Sequence, residues 1–268
     1  MQLSIDASLP IGVFDSGLGG LTVLRELSRV LPHENFIYLG DVARLPYGTK
    51  SPAVVIRYAR HCLEFLQARG VKLIVIACNT ATAAALNVLR DDIDVEIHGV
   101  IENGVRAACV KSQNRRVLVL GTRATVASES YPIEFQRQAP DIRVQQIACP
   151  LLVPLAEEGW FDHPIAATVI QNYLAEIPTE ADVFLLGCTH YPLLEASFRK
   201  VLPPTIQLVH SGPLLAEEIH QILRRKNLLN QAAKPGEVRL CATDHVSSAL
   251  PIVTASLGHQ AYFELVDL

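Results

Sequence analysis

The sequence has no apolar run long enough to cross a membrane and no targeting signal at its start. Its longest apolar runs, such as Leu73 to Cys78, are far shorter than the roughly 20 residues that a spanning helix needs. The opening residues, MQLSIDASLP, lack the basic stretch followed by an apolar stretch that marks a secretory signal. We therefore expect a soluble, cytoplasmic protein with no membrane partner.

The sequence also lacks a strong excess of charge. Its formal net charge is −4 and its pI is near 6.1, which leaves no basic field that would attract nucleic acid. Half of the 268 residues are apolar, enough for one large domain or two ordinary ones with sizeable cores. These features exclude a disordered chain and predict no nucleic-acid partner.

Metal-binding spacing is missing as well. The cysteines are scattered with no CxxC pair and no HxxxH pattern, so the zinc templates fail and we expect no metal. In a reducing compartment they should be free thiols, and a lone cysteine is most often a small buried hydrophobic residue. The six are Cys62, Cys78, Cys109, Cys149, Cys188 and Cys241.

What the sequence does have is a nearly continuous alternation of short apolar strands and helix patterns. The strand candidates IGVF, NFIYLGD and KLIVIAC are followed, in turn, by LTVLRELSRV, AVVIRYARHCLEFLQARG and a small-residue helix pattern that starts at Asn79. This order predicts an α/β fold with mainly parallel sheets.

The pattern restarts after Val100, which predicts two similar domains. RRVLVLGT takes the position of the opening strand, and DVFLLGCTHYP repeats LIVIACNT about 110 residues later, the size of a small domain. The C-terminal stretch adds a helix pattern, LLAEEIHQILRRKN, and two strand candidates, EVRLCAT and AYFELVDL. We predict a first domain over 1–102 plus 212–268, to which the C-terminal segment returns, and a second domain over 103–211.

Polar clusters follow the predicted strands. Ligands of open α/β sheets bind outside the carboxyl ends of the strands, so we expect these clusters to face one cleft. They are DSGLGG at 15–20, PYGT at 46–49, CNT at 78–80, GTRAT at 121–125 and CTH at 188–190.

The DSGLGG cluster admits several interpretations. It lacks the spacing of GxGxxG and begins with an acidic residue, which disfavours a bound phosphate. A tight turn accounts for Gly17, Gly19 and Gly20, and Asp15 or Ser16 could cap the next helix. Nucleotide binding is therefore the weakest of these interpretations.

Cys78 and Cys188 differ from the other cysteines in their position. Each precedes a predicted helix start by one residue, where helix N–H groups favour a thiolate and lower the thiol pKa from about 8.5. Because they occupy matching places in two facing domains, we expect both thiols to enter one cleft from opposite sides.

Five motifs together resemble the glutamate racemases. The resemblance implies two pseudo-symmetric flavodoxin-like α/β domains with mainly parallel sheets and the active site in the cleft between them. It also implies a cofactor-independent isomerase, often homodimeric, that interconverts L- and D-glutamate and supplies D-glutamate for peptidoglycan synthesis, hence for cell wall biogenesis and cell shape. The motifs, in the expected order, are IGVFDSGLGGLTVLREL, DVARLPYGTKS, VIACNTATAAAL, CPLLVPLAEEG and LLGCTHYPLL.

The same resemblance assigns the site residues. Cys78 and Cys188 match the catalytic pair, and Asp15, Glu157 and His190 match supporting acid/base groups near the thiols. The stretch GTRATVAS departs from the family's usual residues, so of its two threonines the second is assigned and Thr122 is not. The residues matched to substrate binding are Asp15, Ser16, Pro46, Tyr47, Gly48, Asn79, Thr80, Thr125, Thr189 and His190.

Two thiols suit the inversion of an amino acid at Cα. One group must remove the proton from one face while another returns a proton to the opposite face. The carbanion also needs donors for its carboxylate. Asp15 could hold the substrate ammonium or relay a proton, and His190 could relay a proton near Cys188. No lysine lies in a motif cluster except Lys50, so no pyridoxal Schiff base is expected. The donors available are Ser16, Asn79, Thr80 and Thr189.

Two other functions stay open. An aspartate racemase of the same superfamily would carry the same pair of cysteines. A two-domain amino-acid binding protein would have a similar cleft, although such proteins are normally exported and need no cysteine pair. A relative with one cysteine, such as a decarboxylase, is excluded because both cysteines are in place.

Overall fold

The computed structural model describes residues 6–175, 180–246 and 250–268. Within these ranges strands and helices alternate along the chain, with short 3₁₀ turns at Val42–Arg44, Tyr47–Thr49 and Tyr191–Leu194. The strands are β1 (Ile11–Asp15), β2 (Phe36–Gly40), β3 (Leu73–Ile76), β4 (Ile97–Gly99), β5 (Arg116–Gly121), β6 (Arg143–Ala148), β7 (Val183–Gly187), β8 (Gln207–Val209), β9 (Val238–Ala242) and β10 (Glu264–Leu265). The helices are α1 (Leu21–Val30), α2 (Pro52–Ala68), α3 (Asn79–Leu89), α4 (Ile101–Lys111), α5 (Arg123–Ala127), α6 (Ser130–Gln138), α7 (Leu152–Glu157), α8 (Pro164–Ala175), α9 (Glu195–Val201), α10 (Gly212–Arg225) and α11 (Leu250–Leu257).

The strands form two sheets in which neighbouring strands run parallel. The first sheet has the order β10-β9-β2-β1-β3-β4, and the second has the order β6-β5-β7-β8. The core order β2-β1-β3-β4 recurs in the second sheet, and it is the strand order of flavodoxin-like folds. The predicted α/β class with two similar, mainly parallel halves is confirmed.

The central strands are apolar throughout because helices cover both faces of the sheet. Every residue of β1, β2 and β3 is buried. Ile11 and Val13 pack on one face with residues of α1 and α10, whereas Phe14 packs on the other face with residues of α2 and α3. Burial on both faces explains unbroken apolar runs such as LIVI in β3.

The C-terminal segment adds two strands to the first sheet. β9 pairs with β2 from Val238 to Ala242, as the stretch EVRLCAT predicted. The stretch AYFELVDL is a strand only at Glu264–Leu265, where β10 lies at the sheet edge with β9 as its one neighbour. The domain limits 1–102 plus 212–268 and 103–211 stay a prediction, and 1–5, 176–179 and 247–249 lie outside the described residues. None of the helices in the described ranges is long and apolar enough to cross a membrane.

Candidate active site

A cavity of about 350 Å³ lies where the carboxyl ends of the two sheets face each other. Cys78 comes shortly after β3 and Cys188 directly after β7, and these strands occupy equivalent places in their sheets. The two buried thiols therefore reach one cavity from different sheets. The cavity is lined by Ser16, Leu45, Pro46, Tyr47, Gly48, Thr49, Cys78, Asn79, Thr80, Thr122, Pro150, Val153, Pro154, Glu157, Glu158, Cys188, Thr189 and His190.

Cys78 is the N-cap residue of α3, so the helix starts where the sequence predicted. Its Sγ accepts a hydrogen bond from the N–H of Ala81 at 3.4 Å and lies 3.4 Å from Ser16 Oγ. Burial nevertheless raises the pKa of the Cys78 thiol to about 12, with a further increase from the Asp15 carboxylate. The expected lowering of this pKa is wrong, because these two contacts do not offset the removal of a thiolate from water.

The helix predicted directly after Cys188 is absent. An α-helix capped by Cys188 would take its first hydrogen bond from the N–H of residue 192, which is a proline and has none. The chain instead makes a tighter turn, in which the N–H of Tyr191 donates to the Cys188 carbonyl at 3.1 Å. α9 begins only at Glu195. The Cys188 thiol therefore contacts a side chain of this turn and not the N–H groups of a helix start.

That neighbour is His190, which connects Cys188 to Glu157. His190 Nδ1 lies 3.8 Å from Cys188 Sγ, and His190 Nε2 lies 2.6 Å from Glu157 Oε1. Burial alone would lower the pKa of His190, but its hydrogen bonds and charge interactions with Cys188 and Glu157 outweigh burial and raise it to about 10. The imidazolium is thus a cationic partner with which a thiolate at Cys188 can pair.

Asp15 lies beneath the cavity rather than in its wall. It is fully buried at the end of β1, and burial raises the pKa of its carboxyl. Its Oδ2 accepts a hydrogen bond from the N–H of Gly17 at 3.1 Å, and its Oδ1 accepts one from Thr189 Oγ1 at 3.4 Å. Neither Asp15 nor Ser16 is the N-cap residue of α1, which is Gly20. Helix capping therefore does not account for Asp15, which instead joins loops from the two sheets.

Gly19 allows the DSGLGG loop to touch the loop that carries Cys188. A Cβ at Gly19 would lie 2.5 Å from both Thr189 Oγ1 and His190 Nδ1. The Thr22 hydroxyl, in the first turn of α1, lies 3.1 Å from the Thr189 carbonyl oxygen and can donate to it. The chain turns at Gly19 and Gly20 as expected, but no glycine of this loop has a positive φ, so the backbone conformation of the turn does not require glycine. Close approach of the two loops explains Gly19.

Three threonine hydroxyls connect the two sheets at another side of the cavity. Thr80 Oγ1 lies 2.9 Å from Thr122 Oγ1 and 3.1 Å from Thr125 Oγ1, and the latter two are 3.0 Å apart. Thr122 lines the cavity, whereas Thr125 is fully buried behind it. Thr122, which was left unassigned from the sequence, therefore forms part of the cavity wall.

Tyr47 is buried in the 3₁₀ turn that follows β2 and precedes α2. Its hydroxyl donates to Asp41 Oδ2 at 2.5 Å, so this group is engaged within the protein. Gly48 packs against Thr122, since a Cβ there would lie 2.6 Å from the threonine Cβ. The PYGT cluster therefore closes the cavity against the second half of the chain.

Most of the sequence-predicted site residues meet in this cavity, although their roles stay predictions. Asp15 and Thr125 support the wall from behind. In the described ranges, no group of three or more His, Cys, Asp or Glu side chains is arranged to hold a metal. The lining residues that had not been assigned to the site all lie in stretches quoted above, which marked the place without showing which side chains face inward. Thr49 and Thr122 belong to clusters that were expected to face the cleft. The unassigned residues are Leu45, Thr49, Thr122, Pro150, Val153, Pro154 and Glu158.

The sequence from residue 11 to residue 219 matches the Asp/Glu/Hydantoin racemase family. The matched span contains Cys78, Cys188 and all the other predicted site residues. The chain belongs to this family. The resemblance seen in its motifs is thereby confirmed.

Racemases of this family are similar to the chain over nearly its whole length. The glutamate racemase of Geobacter metallireducens is 42% identical over 249 residues, which cover 92% of each chain. The crystal structure of glutamate racemase from Thermus thermophilus in complex with β-chloro-D-alanine has a TM-score of 0.87 and 42% identity, and covers 98% of both chains. The structure of the Francisella tularensis glutamate racemase in complex with D-glutamate has a TM-score of 0.90 and 34% identity, and covers 97% of this chain and 98% of that one.

Proposed function

We propose that this racemase-family protein interconverts L-glutamate and D-glutamate with two cysteines and without a cofactor. The observation that carries the proposal is that Cys78 and Cys188 reach one cavity from two different sheets. Inversion at Cα needs proton transfer on both faces, and a thiol on each face supplies it. The glutamate racemases of similar sequence and structure support glutamate as the substrate.

The surroundings of the two thiols favour unequal starting states. With a pKa of about 12, Cys78 is a thiol near neutral pH, so the base for L-glutamate is assigned to Cys188, whose Sγ lies 3.8 Å from Nδ1 of the His190 imidazolium. In this state Cys188 removes the α-proton of L-glutamate, and Cys78 donates its proton to the opposite face. Cys188 ends as a thiol and Cys78 as a thiolate, which is the state that accepts the α-proton of D-glutamate.

Asp15 acts on proton transfer near Cys78 in this scheme. Its carboxyl is buried behind the cavity wall and raises the pKa of the Cys78 thiol. A group behind the wall is better placed to exchange a proton with neighbouring side chains than to hold the substrate ammonium. On the other side, Glu157 fixes the orientation of the His190 ring through the bond to Nε2.

The carboxylate of the substrate needs donors as the carbanion forms, because negative charge moves onto its oxygens. Asn79 and Thr80 lie in the first turn of α3, where unpaired N–H groups also favour an anion. Ser16 and Thr189 face the same cavity from the first and second halves. We assign the binding of the α-carboxylate to this set of donors.

The D-glutamate produced would serve peptidoglycan synthesis in the cytoplasm, with the protein acting as a homodimer. Deletion of the encoding gene should then produce cells that need added D-glutamate to grow and keep their shape. The mass of the purified protein in solution, measured by light scattering, tests the dimer.

The decisive experiment incubates the protein in deuterated water with L-glutamate and, separately, with L-aspartate. Optical rotation and deuterium at Cα are followed together. We expect glutamate to lose its rotation as it gains deuterium at Cα. Exchange with aspartate alone would indicate an aspartate racemase, and binding of glutamate without exchange would indicate an amino-acid binding protein.

A further inference from the structure

Tyr131, in α6, contacts the immediate chain neighbours of both thiols. Its hydroxyl lies 2.7 Å from Oδ1 of Asn79, the residue after Cys78, and donates a hydrogen bond to it. Its ring packs against Gly187, the residue before Cys188, where a Cβ would lie 2.9 Å from Tyr131 Cε2. The tyrosine side chain is fully buried and does not line the cavity. Any effect on a ligand must therefore pass through a neighbour.

The hydrogen bond from Tyr131 selects one orientation of the Asn79 amide. An amide has an acceptor oxygen at one end and a donor nitrogen at the other, so rotating it by 180° exchanges the two. Asn79 Oδ1 is the acceptor of the Tyr131 hydroxyl within the described part of the chain. A rotated amide would leave a buried O–H without an acceptor, which is costly.

The selected orientation leaves Asn79 Nδ2 free for a ligand. Asn79 lines the cavity, and the bond from Tyr131 is the one hydrogen bond of its side chain among residues 6–175, 180–246 and 250–268. A carboxylate accepts hydrogen bonds from an amide nitrogen, whereas an amide oxygen in the same place would repel it. The orientation of this amide thus decides whether Asn79 attracts or repels the substrate carboxylate.

We propose that Tyr131 is a positioning residue that holds Asn79 Nδ2 toward the α-carboxylate of the substrate. The proposal rests on the glutamate racemase function proposed above. It assigns no contact between Tyr131 and the substrate, and its effect is transmitted through a single hydrogen bond to Asn79.

The test is a double-mutant cycle in the purified enzyme with Tyr131→Phe, Asn79→Ala and the combined variant. Tyr131→Phe keeps the ring against Gly187 and removes only the hydroxyl. We expect the KM for L-glutamate to rise roughly fivefold, the worth of one hydrogen bond, and kcat to fall as well, because Asn79 also stabilises the negative charge that moves onto the carboxylate as the carbanion forms. In the Asn79→Ala background the same substitution should raise KM no further, because the group it positions is gone.

Tyr191→Phe is the matched control. The buried Tyr191 hydroxyl contacts the carbonyl oxygens of Gly121 and Cys149 and makes no bond to Asn79, so its effect on KM should be the same with and without Asn79→Ala. Thermal unfolding checks that each variant is folded, and Asn79→Ser replaces Asn79→Ala if the latter is not. An unchanged KM in Tyr131→Phe, or an equal rise in both backgrounds, overturns the positioning role alone. A wild-type protein that does not racemise glutamate overturns the proposed function and this inference together.

Discussion

Replacing Gly19 by alanine tests whether the contact between the two loops sets the geometry at Cys188. The new Cβ would lie 2.5 Å from Thr189 Oγ1 and from His190 Nδ1, whereas ordinary contacts begin near 3.4 Å. The Thr189 and His190 side chains, or the loop that carries them, must therefore move by about 0.9 Å. Thr189 and His190 are rooted at the end of β7, so the shift falls on the side chains that flank one of the two thiols.

A displacement of this size is large for proton transfer. It changes both bonds of the His190 ring, at 3.8 Å to Cys188 Sγ and at 2.6 Å to Glu157 Oε1. Misplacing a reacting group by about 1 Å costs on the order of 100-fold in rate, and we expect kcat for racemisation to fall by about that factor. Overpacking should also lower the free energy of unfolding by about 1–3 kcal/mol.

The loss should be unequal for the two thiols. A substrate analogue with a chlorine at Cβ can eliminate chloride after one proton abstraction, so each isomer of the analogue reports on one base. Because the displaced loop carries Cys188, elimination from the L-isomer should fall more than elimination from the D-isomer, which uses Cys78. Racemisation rates cannot show this, since the equilibrium constant fixes the ratio of kcat/KM in the two directions.

Gly12→Ala is the matched control, because it adds the same methyl group within β1. Its Cβ would meet only side chains, the nearest being Leu66 Cδ1 at 3.2 Å, and none of these lines the cavity. We expect a small loss of stability and activity within about twofold of wild type. A folded Gly19→Ala protein that is as active as this control, or that loses both eliminations equally, would refute the reasoning.

Three further predictions concern the thiols, the cofactor and pH. Cys78→Ser and Cys188→Ser should each nearly abolish racemisation and leave the circular dichroism spectrum unchanged. The Cys78→Ser enzyme should still eliminate chloride from the L-isomer of the chloro analogue, and the Cys188→Ser enzyme from the D-isomer. A preference of both variants for the same isomer would indicate a single base. Activity should persist with EDTA and without pyridoxal phosphate, and a loss on EDTA treatment that added metal restores would contradict this. Because the pKa of His190 is raised from 6.5 to about 10 in the folded protein, its stabilising effect should be full below about pH 6.5 and disappear as the pH rises to about 10. The difference in unfolding free energy between wild type and His190→Asn, measured in urea, should shrink over that range; a constant difference would rule out this assignment.

The fold could be predicted from the sequence because burial on both faces of the sheets leaves unbroken apolar runs between helix patterns. The run LIVI of β3 is an example, buried at all four positions. Short strands such as β4 and β8, with three residues each, leave too little pattern to be found in this way. β10 was indicated by AYFELVDL, but it is a strand over only two residues, because its extent is set by the pairing with β9.

The sequence predicted which residues form the site better than it predicted their chemical properties. The motifs around Cys78 and Cys188 indicated the two thiols, but the pKa of Cys78 depends on burial by residues far apart in the chain and rises where the local helix start suggested a fall. The prediction of a helix directly after Cys188 was wrong because of one residue, Pro192, which has no backbone N–H. The sequence alone was enough to recognise this. Thr122 could not be assigned because its place in the wall depends on the packing of Gly48 and Thr80 against it.

The two sheets differ in when their strands are synthesised. β5 to β8 come from one continuous stretch, Arg116 to Val209, whereas the first sheet combines β1 and β2 with β9 and β10 from the far end of the chain. During synthesis, all four strands of the second sheet therefore leave the ribosome before β9, the strand that pairs with the outer edge of β2, has been made. Until Val238–Ala242 emerges, the nascent protein carries an unpaired, fully apolar strand edge, FIYLG, of the kind that promotes aggregation. Chains truncated before Val238 should accordingly accumulate as insoluble material, even though both cysteines have already been incorporated.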